Sequence, residues 1–134
     1  MDIAIHLQRV ENKLSSRLGV IEVEKLLARR LSGDDTRATI NAKLRFYDGS
    51  FLDIHEIINT YRSYPEYLSY SYQYMKNDKQ VFRYDNAPHH PKVGTYPDHK
   101  HIGNYKNERV IDSNRPNYNE LFQEIYQFFT QETK

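Results

Sequence analysis

Two runs of alternating side chains limit what this chain can fold into more than any other feature. Ile40, Ala42, Leu44 and Phe46 share one parity, with Asn41, Lys43 and Arg45 on the other, and Leu68, Tyr70, Tyr72 and Tyr74 alternate further on. Successive side chains of a strand point to opposite faces, so each run predicts a strand with one apolar and one polar face. Turn chemistry follows both runs. Asp48-Gly49 closes a first hairpin. A two-residue loop would set Leu44 against Asp53. A three-residue loop ending at Gly49, in the bulged form, sets Leu44 opposite Leu52 and Ala42 opposite Ile54, and is the register expected. Asn77-Asp78 sits between two lysines. A two-residue turn there pairs Tyr74 with Val81, Tyr72 with Arg83 and Tyr70 with Asp85. That register puts Arg83 and Asp85 on the tyrosine face, where aromatic rings can carry a guanidinium.

Ile3, Leu7, Val10, Leu14 and Leu18 recur at helical spacing, with Gly19 as the stop. Val20 to Leu31 favours helix by propensity. However, Ile21, Val23, Leu27 and Leu31 share one parity, and Ser32-Gly33-Asp34-Asp35 is a turn before a clear strand, so a strand is expected. Val110 and Ile111 suggest a short extended piece. Asn114-Arg115-Pro116-Asn117 starts a last helix with an apolar stripe of Tyr118, Leu121, Phe122, Ile125, Phe128 and Phe129. The expected architecture is α+β and a single domain over 1–134. It comprises an N-terminal helix, an antiparallel β-meander of four to five strands, a His-rich loop and a C-terminal helix.

Between the meander and the last helix stands the segment richest in chemistry. It runs Arg83-Tyr84-Asp85-Asn86-Ala87-Pro88-His89-His90-Pro91, then Tyr96-Pro97-Asp98-His99-Lys100-His101. It holds His89, His90, His99 and His101, four of the six histidines. Imidazole exchanges protons near neutral pH and is the commonest metal ligand. His99 and His101 are two apart, so an extended backbone points both rings the same way. As a metal site, the pair would take Asp85, Asp98, His89 or His90 as further ligands, with zinc or manganese suited. Without a metal, one ring would deprotonate an RNA 2′-hydroxyl and the other protonate the leaving 5′-oxygen, each step contributing about 10²–10⁴ in rate. Lys100, Arg83 or Arg62 would stabilise the phosphorane charge. The bland alternative is a surface loop whose imidazoles only bond carbonyls. His6 and His55 stand alone on patterned elements and read as structural.

Composition removes several classes. There is no cysteine, hence no disulfide framework, thiolate zinc site or thiol nucleophile. No apolar run reaches the roughly 18 residues of a membrane span, and the amino terminus lacks a signal-peptide pattern, so a soluble cytoplasmic protein is expected. The net charge of +1 does not by itself argue for nucleic acid. Even so, Lys and Arg outnumber Asp and Glu over residues 76–109, which is permissive for a phosphate ligand. Twelve tyrosines and no tryptophan suit half-buried strands, interfaces or base stacking.

The Arg83–Pro91 and Tyr96–Gly103 stretches resemble the signature of the TumE-type toxins of bacterial toxin–antitoxin pairs. That signature runs Arg-aromatic-Asp-Asn-Ala-Pro-His-His, a short spacer, then aromatic-Pro-x-His-x-His-Val-Gly. Family members often have Trp at the position of Tyr84, Phe at that of Tyr96 and Val at that of Ile102; all four histidines are retained. The resemblance implies a small prokaryotic cytoplasmic toxin, neutralised by a cognate antitoxin protein. Because many small toxins of such pairs attack RNA, it also raises an endoribonuclease above other activities, by analogy. On that reading His99 and His101 are the acid–base pair, with His89 or His90 as alternate partner. Asp85 orients a ring or the arginine, Arg83 and Lys100 bind phosphate, and Tyr72, Tyr74 and Tyr84 contact RNA. No metal is required. The alternative is a metal-dependent phosphodiesterase or nucleotide-modifying enzyme with His99, His101, His89 and Asp85 as ligands. A third, of a different class, is a non-catalytic nucleic-acid or protein-binding module. The amphipathic terminal helices are available for a homodimer.

Overall fold

The computed structural model describes residues 2–31, 33 and 36–129. Of the turn expected at Ser32-Gly33-Asp34-Asp35, only Gly33 lies within the described residues. Helix α1 (Ile3–Ser15) starts at Asp2, whose carboxylate accepts from the amides of Ala4 and Ile5. This N-cap supplies partners for donors that the first turn leaves open. The helix stops before Leu18. Ser15 and Ser16 turn their hydroxyls back to the carbonyls of Glu11 and Asn12 (2.8 and 2.7 Å), and Leu18 ends up exposed.

Among the described residues, seven strands follow in one antiparallel sheet whose spatial order is the chain order. They are β1 (Val20–Arg30), β2 (Arg37–Phe46), β3 (Phe51–Asn59), β4 (Glu66–Lys76), β5 (Lys79–Asp85), β6 (His99–Ile102) and β7 (Arg109–Asp112). Helix α2 (Tyr118–Phe129) closes the chain. Asn117 caps it reciprocally with Glu120: each backbone amide donates to the other's side chain, at 3.0 and 2.8 Å. The α+β class and the terminal helices are as expected, but the sheet has two more strands than the upper expectation. The polar string His-Lys-His-Ile reads as loop, yet it pairs as β6 because its alternate residues serve two different faces.

Both helices pack on one face of the sheet. Val10, Leu14, Leu121, Phe122 and Ile125 join Ile40, Leu44, Phe46, Leu52, Ile54, Tyr72, Tyr74 and Phe82 in one buried cluster. The β2–β3 register sets Leu44 opposite Leu52 and Ala42 opposite Ile54, with a three-residue loop and Gly49 at φ +87°. This is the bulged turn expected. In β1 two register shifts break the parity, so Val20, Val23, Leu26 and Ala28 face the core while Ile21 and Leu27 are exposed.

The β4–β5 hairpin corrects the sequence reading in a way that matters for function. Asn77 and Asp78 form the expected two-residue turn, both with positive φ. A bulge after Met75↔Gln80 then leaves Val81 unpaired and shifts the register to Tyr74↔Phe82, Tyr72↔Tyr84 and Ser71↔Asp85. Without it, Arg83 and Asp85 would face the helices. With it, Phe82 and Tyr84 bury their rings there, and the charged pair moves to the uncovered face. Burying two large rings in place of two charges settles the register.

Among the described residues, one carboxylate lies buried within the core, that of Glu56. Glu56 accepts a short hydrogen bond from the Tyr72 hydroxyl and another from the Tyr118 hydroxyl at 2.7 Å. Arg115 donates to the same Tyr72 hydroxyl (3.1 Å) and stacks 3.5 Å from the Tyr67 ring centroid. Burial pushes the pKa of Glu56 up, against the pull of these donors and of Arg115. Among the described residues, no helix is long and apolar enough to cross a membrane.

Candidate active site

Strands β5 and β6 carry the chemistry on the face the helices leave open. Asp85 lies opposite His99 and Arg83 opposite His101, so all four side chains project together. The 86–98 connection returns over them and brings the His90 ring to 4.9 Å from His99 and 5.4 Å from His101, centroid to centroid. Local bonds shape this connection. Asn86 bridges the Tyr70 amide and the Leu68 carbonyl, Gly94 donates to Asp112, and Thr95 ties the Asp98 carbonyl to the Ser113 amide. The resulting pocket, about 290 Å³, is lined by residues that include Arg83, Asp85, His89, His90, His99 and His101.

Hydrogen bonding fixes the orientation of each ring. His99 Nδ1 lies 2.8 Å from the Pro97 carbonyl, which can only accept, so this nitrogen carries the proton. His101 Nδ1 lies 2.8 Å from Glu108. Burial alone would raise the Glu108 pKa, but hydrogen bonds from His101 and Gln80 hold it below the ordinary carboxylate value, so it accepts as an anion. Both Nε2 atoms are therefore left to face each other at 3.0 Å. The Asp85 carboxylate completes the cluster, with one oxygen 3.0 Å from His99 Nε2 and the other 3.2 Å from His101 Nε2. It also accepts from the Ala87 amide and from Arg83 Nε, each at 3.0 Å. His99 is 1% exposed. Ligand atoms of His90, His99 and His101 lie within 4.8 Å of one another, a grouping able to hold a metal ion.

Several candidates from the sequence fall elsewhere. Lys100 points to the helix face, where its Nζ pairs with Glu124 at 2.5 Å, so it is not a phosphate ligand in this pocket. Tyr72 and Tyr74 are 0% exposed in the core, and Tyr84 donates to Glu124 on α2, so none of the three can stack a base. The bulge in β5 is the cause, because it separates the tyrosine face from the Arg83–Asp85 face. Arg62 lines a different hollow with Asn59, Tyr61 and Glu66. His89 is exposed at the rim, and His90 takes the place beside the His99–His101 pair. Asp98 does not join the cluster and instead accepts from the Tyr70 hydroxyl at 2.8 Å. His55 bonds Asn41 at 2.6 Å. The reading missed Glu108 and Gln80. Treating 99–102 and 109–112 as a hairpin would have returned Glu108 to His101, but nothing in the local composition signals that hairpin.

In comparison with known proteins, the family model described as Toxin TumE matches residues 10–131 of the 134. No curated protein matches the chain, and no solved structure does.

Proposed function

The chain belongs to the TumE toxin family, and from that premise we propose that it is a toxin that cleaves RNA phosphodiester bonds, with a divalent cation held by His99, His101, His90 and Asp85. One observation carries this reading: the two Nε2 atoms converge on one another and on a carboxylate. Two imidazole lone pairs and a carboxylate repel unless a cation or a shared proton sits among them. Donor atoms around a tetrahedral zinc, each about 2.0–2.1 Å from the metal, stand about 3.3 Å apart. The separations of 3.0–3.2 Å are close to that. The outward hydrogen bonds of both Nδ1 atoms, to a carbonyl and to a carboxylate, are the supports that ligating histidines use.

A bound zinc or manganese ion would act as a Lewis acid on a phosphoryl oxygen and lower the pKa of its water. The chain's own groups do the rest. Arg83 stands at the rim with its Nη atoms free of the Asp85 contact, placed to hold a phosphate oxygen. His89 is exposed and lines the same pocket, and it would protonate a leaving 5′-oxygen. A cognate antitoxin would silence the site most simply by covering this pocket.

The same 3.0 Å distance supports a second, metal-free reading. Two rings this close cannot flank a phosphodiester as separate acid and base, but can share one proton and act together, with His89 or His90 opposite. Metal analysis of the purified protein, with cleavage of total RNA before and after chelation, separates the two. The metal reading expects a near-stoichiometric divalent ion and cleavage that stops with chelator and returns on adding metal. Metal-free protein that still cleaves would pass the role to the shared proton. Growth arrest without RNA cleavage would end the ribonuclease proposal.

A further inference from the structure

A second pocket, of about 440 Å³, lies on the other side of the sheet. Its walls are α1, the 63–65 segment and residues 115–119. Arg9 and Lys13 reach it from consecutive turns of α1, Arg17 from just beyond the helix end, and Arg115 from the opposite wall. Among the described residues, no carboxylate lines it, and no carboxylate pairs with Arg9, Lys13 or Arg17. Arg17 lies 5.1 Å from the Phe122 ring centroid, and Arg115 donates to the Tyr72 hydroxyl and the Pro116 carbonyl. Cations such as Arg9 and Lys13, left without a carboxylate in a hollow, raise the local concentration of anions. A separate observation points to a missing ligand. His6 lines the same pocket at 8% exposure, and its Nε2 has no hydrogen-bond partner. Buried polar atoms are rarely left so.

We propose that this pocket binds the phosphate chain of a nucleoside di- or triphosphate. Its volume falls within the range of about 300–1,000 Å³ usual for small ligands. Tyr64, 62% exposed at the rim, offers a ring on which a base can stack. The pocket is concave and set behind the sheet, while the histidines occupy the opposite face. A strand of RNA engaged at the histidines would have to round the sheet to reach it, which favours a separate small ligand. The inference does not depend on metal or cleavage at the histidine pocket.

Calorimetric titration of the full chain with ATP, sodium pyrophosphate, adenosine and a short single-stranded RNA tests it. ATP and pyrophosphate should bind and adenosine should not. An Arg9→Ala/Lys13→Ala variant should weaken ATP by about tenfold or more, since each lost charge-assisted bond carries a factor of that order. Alanine favours helix on this exposed face, and circular dichroism checks the fold. A His99→Ala/His101→Ala variant should bind ATP as the parent does. The proposal is overturned if neither ATP nor pyrophosphate binds, or if affinity survives the Arg9/Lys13 change. Loss of ATP binding with the histidines overturns it too, as does RNA binding through Arg9 and Lys13 without ATP. RNA cleavage, read separately, bears only on the histidine pocket.

Discussion

Asp85 lies directly across the β5–β6 ladder from His99, and its carboxylate touches His99, His101 and Arg83 together. Asn in its place keeps the volume but puts an amide donor against the Ala87 amide or Arg83. Asp85→Asn should therefore abolish growth arrest and lower metal affinity by about 10–100-fold or more. Arg83 is 38% exposed and can turn to water, so the stability cost should be only about 1–3 kcal/mol, read from urea unfolding. A variant that kept both toxicity and metal would reduce Asp85 to a brace for the Ala87 turn.

The sheet separates two cations that look equivalent in sequence. Lys100 pairs with Glu124 under α2, while Arg83 stands over the histidines. Lys100→Met should leave toxicity intact, because its charge never reaches the pocket. Arg83→Ala should lose most of it. Growth curves at matched expression, with RNA cleavage in vitro, decide the matter; the reverse ranking would place the substrate on the helix side.

The Asn77-Asp78 turn holds two non-glycine residues at φ 53° and 60°. A left-handed L-residue costs about 1–2 kcal/mol, less for Asn and Asp, and glycine removes that cost. Asp78→Gly should raise the unfolding free energy by about 0.5–1 kcal/mol with no change in toxicity. A fall in stability would mean that the Asp78 side chain supports the turn more than its backbone strains it.

What the sequence made legible follows period and turn chemistry. The Leu44–Leu52 register could be derived because one loop length buried apolar residues on a single face and the other did not. The Tyr74–Phe82 register could not, since Val81 on one parity and Phe82 with Tyr84 on the other both look apolar. Only the packing against Phe128 and the charges at Arg83 and Asp85 decide between them. The pairing of His99 with His101 came from strand geometry alone, although their strand itself went unseen. Glu108 escaped because its place depends on β6–β7 pairing, which four polar or mixed residues do not announce.

Glu56 gives the fold a pH dependence of definite sign. Burial raises its folded pKa above the unfolded value, so the group's contribution is fully present below the ordinary carboxylate pKa of 4.5 and is lost as pH rises through the raised value. Ionised Glu56 is thus a burden that the Tyr72 and Tyr118 hydroxyls and Arg115 offset only in part. In Glu56→Gln no proton is lost in this range, while the side-chain carbonyl can still accept from a tyrosine. The stability difference, variant minus parent, should be flat below the ordinary carboxylate value and climb as pH rises above it toward the raised folded value. Urea midpoints collected across that interval measure it directly. Parallel curves would mean that the carboxylate keeps the same pKa folded and unfolded, and that the three donors fully offset its burial. A difference that fell with pH would mean that they more than offset it, and that Glu56 is a net anchor of the sheet against α2.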